Sequence, residues 1–231
     1  MKEKIIIALD VNSLKEAKRL LDILSPEVKL FKIGMELFYS CGPKVVELVK
    51  KYDRDIFLDL KFHDIPNTVK NAAKVATRLG VEIFNLHAQG GKDMMKAALE
   101  GAEEESEKLG ISRPKILGVT VLTSMDKGTL NEIGVDGSPK DQVLKLARLV
   151  KEAGLDGVVA SPQEIEIIRK ELDKDFLIVT PGVRPKGAEA GDQKRTSTPK
   201  EALIAGADYI VIGRPIIKAK APLKALQDIE I

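Results

Sequence analysis

The chain has 231 residues, of which 44% are hydrophobic and 31% are charged, and this balance suits one large globular α/β domain whose core needs no disulfides. Lys and Arg number 37 against 35 Asp and Glu, so the formal net charge of +2 argues against the strongly basic surface that nucleic-acid binding needs. The single cysteine, Cys41, favours a reducing compartment, and no apolar stretch reaches the roughly 20 residues that a membrane-spanning helix requires. We therefore expect a cytoplasmic protein without nucleic-acid or membrane partners.

Eight short runs rich in β-branched residues alternate with longer segments of helical period. We predict strands at 4–10, 28–33, 55–61, 82–87, 115–121, 157–160, 176–180 and 208–213. Predicted helices between them include 13–24, 66–79, 92–109, 139–152, 162–171 and 199–204.

The strands read as continuous apolar runs, which is typical of parallel strands covered on both faces. Eight strand–helix units without a composition break predict a (β/α)8 TIM barrel, with residues 1–231 forming a single domain. A doubly wound open sheet is the alternative. It usually has fewer strands and a glycine-rich first turn, which this sequence lacks.

Functional side chains of such barrels lie at the carboxyl ends of the strands, where strands distant in sequence meet at one mouth. The polar residues predicted at those ends are Asp10, Lys32, Asp59, Lys61, Asp64, His87, Thr123, Ser124, Ser161, Arg184 and Arg214.

The densest group of charges surrounds the end of the third predicted strand. Asp59 and Lys61 are two residues apart and should share one strand face, pointing into the barrel. Asp64 follows in the next loop, and Lys32 ends the neighbouring strand. Alternating charges of this kind can stay ionised in a partly desolvated mouth. A purely structural salt-bridge network is the alternative, but four alternating charges at strand carboxyl ends favour a functional site.

A second group of residues indicates phosphate binding. Gly213 and Arg214 follow the last strand and open a short helix, where barrels frequently bind phosphate. The polar segment 182–198 is too long for an ordinary connection, and we interpret it as a mobile lid with Arg184 at its root and Gln193 near its tip. A plain surface loop is the alternative interpretation.

Residues 59–68, Asp-Leu-Lys-Phe-His-Asp-Ile-Pro-Asn-Thr, resemble the signature of the orotidine 5′-monophosphate decarboxylase family, bacterial type. Shorter matches to that family occur in order at 8–10, 31–34, 181–184 and 212–215. The resemblance implies decarboxylation of orotidine 5′-monophosphate to UMP and CO2, the last step of UMP synthesis. It also implies a homodimer and the use of no metal and no organic cofactor.

The resemblance further implies roles for individual residues. Lys61 would stabilise the carbanion at C6 of the pyrimidine and then protonate it, with Asp59 near the substrate carboxylate. Lys32 and Asp10 would hold the ribose hydroxyls and orient the charges. Asp64 and Thr68 would come from the partner subunit.

The remaining implied contacts are with the pyrimidine and the phosphate. The resemblance assigns Thr123 to the pyrimidine and leaves Ser124 undecided. It assigns Arg184, Gly213 and Arg214 to the phosphate end, with Gln193 bridging phosphate and pyrimidine.

Two alternative functions stay open at this point. A magnesium-dependent sugar-phosphate decarboxylase or aldolase of the same superfamily shares the Asp-x-Lys-x-x-Asp pattern, but its second strand typically ends in an acid where this chain has Lys32. A catalytically dead nucleotide-binding barrel is the other alternative, although such a protein would have no reason to keep four mutually costly charges. The two histidines and Cys41 show no metal-ligand spacing.

Overall fold

The computed structural model describes residues 2–185 and 197–231. Eight parallel strands pair in chain order and close between the last and the first, which confirms the predicted (β/α)8 barrel. The strands are β1 (Ile5–Ala8), β2 (Leu30–Gly34), β3 (Asp55–Phe62), β4 (Ile83–His87), β5 (Lys115–Val119), β6 (Gly157–Val159), β7 (Leu177–Thr180) and β8 (Tyr209–Ile212).

Helices pack around the outside of the barrel. In the described part of the chain they are α1 (Leu14–Leu24), α2 (Met35–Cys41), α3 (Lys44–Lys50), α4 (Pro66–Arg78), α5 (Gly91–Leu109), α6 (Lys127–Glu132), α7 (Pro139–Glu152), α8 (Ile165–Glu171), α9 (Pro199–Ile204), α10 (Arg214–Ile217) and α11 (Pro222–Gln227). The structure adds α2, α3, α6 and α11 to the helices predicted from the sequence. Within the described ranges, no helix combines the length and the apolarity needed to cross a membrane.

Alternate residues of each strand serve two separate cores, which explains the continuous apolar runs. One set packs outward against the helices and includes Ile5, Ile7 and Leu58. The other set fills the barrel interior and comprises Ile6, Ala8, Leu30, Phe57, Ile83, Leu117, Val119, Val159, Val179 and Val211.

The inward-facing rows turn polar toward the carboxyl ends of the strands. Lys32, Asp59 and Asn85 each lie two residues after an interior residue of the same strand, at positions 30, 57 and 83. Asp59 contacts both Lys32 and Asn85. The apolar layers below these residues keep water away from the charges from one side. The barrel therefore places ionisable groups at the boundary between its packed interior and its mouth.

Strand β3 is irregular in the region of the predicted site. Its pairing with β4 is regular at Leu58 opposite Phe84 and resumes only at Phe62 opposite Leu86. Three residues of β3 thus stand opposite one residue of β4, a bulge that bends the strand. Lys61, inside the bulge, has a φ of 51°, in the left-handed region that non-glycine residues rarely adopt.

Several predicted strands are shorter in the structure. Strand β1 ends at Ala8 and β5 at Val119, so Asp10 and Thr123 lie on the loops that follow them. Lys32 is the third of five residues in β2 rather than its last. These side chains nevertheless reach the same end of the barrel, because the loops leave the barrel at its carboxyl face.

At the opposite, amino-terminal face of the barrel, a different ion pair connects two neighbouring strands. Asp156 accepts hydrogen bonds from the two terminal guanidinium nitrogens of Arg113 at 2.8 Å and from the backbone N–H of Ile116 at 2.7 Å. This carboxylate precedes β6 and ties it to the start of β5. Because it lies at the amino ends of the strands, it stabilises the barrel away from the mouth.

Candidate active site

The centre of the mouth is an ion-pair network around Asp59. The Asp59 carboxylate lies 3.3 Å from Lys32 Nζ and 2.6 Å from Lys61 Nζ. Lys32 Nζ also lies 3.1 Å from Asp10 Oδ1. The side chains of Lys32 and Asp59 are only 11% and 13% exposed, whereas that of Asp10 is 45% exposed. The inner pair is therefore the strongly coupled part of the network, and Asp10 forms its solvated rim.

Two glycines leave room for this network. A Cβ atom on Gly34 would lie 2.9 Å from Lys32 Nζ. A Cβ atom on Gly213 would lie 3.1 Å from Asp10 Oδ2 and 3.2 Å from the Ala8 side chain. Both positions favour glycine because a side chain there would press on Lys32, or on Asp10 and Ala8.

The charges of the inner pair hold each other in the ionised state. Burial acts to raise the pKa of the Asp59 carboxyl, but Lys32 and Lys61 outweigh burial and hold that pKa below its ordinary value. Burial likewise acts to lower the pKa of the Lys32 ammonium, yet Asp59 and Asp10 together raise it. At neutral pH the Asp59 carboxylate and the Lys32 ammonium group are therefore both charged.

Asn85 on β4 completes the first ring of contacts around Asp59. The side chain is fully buried, its Nδ2 donates to Asp59 Oδ1 at 2.7 Å, and its Oδ1 accepts the backbone N–H of Lys61 at 2.9 Å. Sequence reasoning missed this residue. The two-residue period could have found it, because Asn85 is the inward-facing position between Ile83 and His87.

His87 and His63 form a pair beside the network. Their ring centroids are 5.5 Å apart. Burial lowers the pKa of His87, and His63 and Lys61 lower it further, so the uncharged ring is favoured at neutral pH.

Two cavities open side by side above the charged network. The first, of about 240 Å³, has largely apolar walls that include Val119, Val159 and Leu122, with Thr123 and Ser124 at its edge. The second, of about 420 Å³, is lined by polar groups that include Asp10, Arg184 and Arg214. Lys32, Asp59, Pro181 and Val211 line both cavities. The combined site suits a ligand with a compact ring at one end, a polar linker over the charges and an anion at the other end.

Most of the predicted site residues meet here. Those lining one or both cavities are Asp10, Lys32, Asp59, Lys61, Thr123, Ser124, Arg184, Gly213 and Arg214. The structure adds Glu36 and Lys218 to the walls of the second cavity. Gln193 and residues 186–196 of the predicted lid lie outside the described residues. At the two ends of that segment, Val183 bridges Ser197 and the Arg184 N–H donates to the Ser197 carbonyl at 2.9 Å.

Asp64 and Thr68 do not join the network of their own chain. Both are exposed, and Asp64 Oδ1 accepts the N–H of its neighbour Ile65 at 2.7 Å. The four charges that meet within one chain are thus Asp10, Lys32, Asp59 and Lys61. This corrects the predicted grouping, in which Asp64 was one of the four. The chain turns outward at Asp64 to start α4 at Pro66, which carries Asp64 away from the barrel axis.

Residues 3–229 match the profile of the family described as orotidine 5′-phosphate decarboxylase / HUMPS. The chain belongs to this family. As a member of the orotidine 5′-phosphate decarboxylase / HUMPS family, it has relatives along almost its whole length. A protein of Geotalea daltonii named orotidine 5′-phosphate decarboxylase is 53% identical over 226 residues, covering 98% of this chain and 94% of the relative. One of the same name from Moorella thermoacetica is 51% identical over 229 residues, covering 99% of this chain and 91% of the relative.

A solved structure of a similar protein has the same fold as this chain. The crystal structure of orotidine 5′-phosphate decarboxylase from Lactobacillus acidophilus superposes with a TM-score of 0.86 at 40% identity, covering 98% of this chain and 97% of the other. Among residues 2–185 and 197–231, no group of three or more His, Cys, Asp or Glu side chains is arranged to hold a metal ion.

Proposed function

We propose that this chain catalyses the decarboxylation of orotidine 5′-monophosphate to UMP and CO2. Membership of the family and the names of its relatives support this reaction. The observation that carries the proposal is the Lys32–Asp59–Lys61 network at the floor of two joined cavities, one with largely apolar walls and one with polar, charged walls. An enzyme with these features suits the cytoplasm, where its single cysteine stays reduced.

The chemistry requires stabilisation of a carbanion. The bond between C6 and the carboxylate breaks, its electron pair stays on C6, and CO2 leaves. Lys61 Nζ then transfers a proton to C6, which gives UMP, and the resulting amine regains a proton from solvent. The substrate carboxylate and one proton are thus converted to CO2 and a C–H bond, with no oxidation or reduction.

Lys61 is suited to this step because its ammonium group is already fixed. Asp59 contacts it at 2.6 Å, and the apolar interior of the barrel lies directly beneath. A charge held in place in a poorly hydrated site stabilises developing negative charge without the cost of reorienting water. The same ammonium group carries the proton that the carbanion needs. Asp59 therefore positions the acid.

We propose that the substrate spans the two cavities. The pyrimidine would occupy the apolar cavity near Thr123, and the phosphate would bind at Arg214 and Arg184 in the polar cavity. Lys32 and Asp10 lie where the two cavities join, which suits contacts with the ribose hydroxyls. Helix α10 has only four residues, so the Arg214 side chain rather than a helix dipole supplies most of the attraction for phosphate.

The magnesium-dependent sugar-phosphate reaction fits this site less well. Lys32 Nζ lies within 3.3 Å of Asp59 and 3.1 Å of Asp10, so the chain's own ammonium group occupies the position between the two carboxylates. A divalent cation there would have to displace a buried positive charge. We therefore propose that catalysis uses only side chains of the protein.

The test is loss of the absorbance of orotidine 5′-monophosphate on adding protein that has been exhaustively treated with EDTA. We expect full activity after chelation, and loss of many orders of magnitude in kcat for Lys61→Ala. The matched control is Lys29→Ala, because Lys29 pairs with Asp55 at 3.1 Å between the same two strands at the opposite end of the barrel. Activity that EDTA abolishes and magnesium restores would instead support the sugar-phosphate reaction.

We also propose a homodimer in which Asp64 and Thr68 complete the partner's site. Both residues are exposed, in agreement with a role outside their own chain. Lys61→Ala and Asp64→Asn homodimers should each be inactive, whereas a mixed dimer has one intact site. Activity should therefore recover when the two variants exchange subunits. Failure to recover, with exchange confirmed by mass, would place both residues in the site of one subunit.

A further inference from the structure

The residue at the tip of β3 holds an unusual conformation that needs a cause. Lys61 has a φ of 51°, and the segment from Asp59 to Lys61 bulges opposite the single residue Asn85 of β4. A left-handed lysine is unfavourable in isolation because its Cβ atom crowds the backbone. Such a conformation persists only where the surrounding structure enforces it.

Asn85 makes the two hydrogen bonds that enforce it. The Oδ1 atom accepts the Lys61 N–H at 2.9 Å, which fixes the backbone of the acid. The Nδ2 atom donates to Asp59 Oδ1 at 2.7 Å, the same oxygen that contacts Lys61 Nζ at 2.6 Å. One amide group thus holds Lys61 at its backbone directly and at its ammonium group through Asp59.

We propose that Asn85 is a positioning residue for the decarboxylation. By hydrogen-bonding to both the β3 bulge and the Asp59 carboxylate, Asn85 determines where the Lys61 ammonium group lies. This inference rests on the proposed function. Asn85 is fully buried and lines neither cavity, so it acts through Lys61 and Asp59 rather than on the substrate. An amide is the group that serves both bonds, since it offers an acceptor and a donor on one planar end.

Two variants of Asn85 separate positioning from simple packing. Asn85→Leu keeps the branched shape and the number of side-chain heavy atoms, and it removes both hydrogen bonds. Because a displacement of about 1 Å in a reacting group lowers the rate on the order of 10²-fold, kcat should fall by about that factor while KM stays within about threefold of wild type. The control is Thr180→Val, since Thr180 is buried at the end of β7 and its hydroxyl has no partner among the described residues. This variant should keep the wild-type kcat.

Asn85→Asp tests the donor alone. The introduced carboxyl faces Asp59 and Lys61. Lys32 lies on the other side of Asp59, and His87 is two residues further along the same strand. Burial and the Asp59 charge should raise the pKa of the introduced group. While protonated it can replace both bonds of the amide; once ionised it repels Asp59. Its kcat should therefore be near wild type at low pH and fall at least about tenfold as the pH rises through that pKa, a loss that wild type does not show.

The inference is overturned if Asn85→Leu keeps a wild-type kcat, if its loss is entirely in KM, or if Thr180→Val loses as much. A pH profile of Asn85→Asp that matches wild type also overturns it. A crystal structure of Asn85→Leu tests the geometry without substrate. In that structure, Lys61 should leave the left-handed region and its Nζ should move away from Asp59. An unchanged Lys61 would refute the proposal that Asn85 holds it in place. If wild type itself fails to decarboxylate the substrate, the proposed function is wrong, and this structural arm still decides the role of Asn85.

Discussion

Replacing Lys32 by methionine should strongly destabilise the protein, although Lys32 is a charged residue in an open mouth. The substitution keeps most of the apolar stem and removes the ammonium group that bridges Asp59 and Asp10. Asp59 would remain almost fully buried, with Lys61 as its only ion-pair partner among the described residues. Removal of one member of a buried ion pair costs more than the pair contributes, because it leaves the other charge uncompensated.

The two contacts of Lys32 contribute very unequally. At 3.3 Å, and with an effective dielectric constant of about 20, the Coulomb attraction between Lys32 and Asp59 is about 5 kcal/mol. The contact with Asp10 is shorter, at 3.1 Å, but Asp10 is 45% exposed and water screens it. Loss of Lys32 also removes the cost of burying its ammonium group, which leaves a net destabilisation of about 3 kcal/mol.

Urea unfolding at pH 7, followed by circular dichroism, measures this change. Lys29→Met is the matched control, since Lys29 is 70% exposed and its pairing with Asp55 at the other end of β2 and β3 should contribute little. In a double-mutant cycle, Lys32→Met and Asp59→Asn should show a coupling of at least about 1.5 kcal/mol. A destabilisation of less than about 1 kcal/mol for Lys32→Met, or one no larger than for Lys29→Met, would refute the reasoning and show that water screens the whole network.

Three further outcomes are expected. Asp156→Asn should destabilise the protein by about 2 kcal/mol in urea and leave kcat unchanged, because this carboxylate serves only the amino-terminal face; a lowered kcat would contradict that separation. Arg214→Ala should lower kcat/KM on the order of 10²-fold or more, as expected for a charge-assisted phosphate contact, and a loss below about fivefold would make Arg214 a minor anchor. The pKa of Asp59 is lowered in the folded state, so its stabilisation is complete above the unfolded value of about 4 and is lost as the pH falls through the lower folded value. Wild type should therefore lose stability in that acid range more steeply than Asp59→Asn, and equal slopes in urea titrations would show that Asp59 is not the group responsible.

The sequence by itself determined the barrel and the identity of most charges in its mouth. Both faces of each strand are buried, so the strands appear as continuous apolar runs that can be recognised locally. Asp59 and Lys61 were found because a motif of neighbouring residues carries them. Arg214 was found because it follows the last strand directly. Each of these inferences needs only residues that are close together in the chain.

Only the tertiary structure decided which charges meet and how Lys61 is held. Asp10 joins Lys32, and Asp64 does not, because the loop after β1 stays at the mouth while the chain turns outward into α4. The two-residue period placed Asp59 and Lys61 on one face, but the bulge in β3 gives Lys61 its left-handed backbone. The bulge reflects the register between β3 and β4, and its residues hydrogen-bond with Asn85, which lies 24 residues from Lys61 in the sequence. Strand register and a buried amide contact arise from packing between distant segments, and no local pattern in the sequence encodes them.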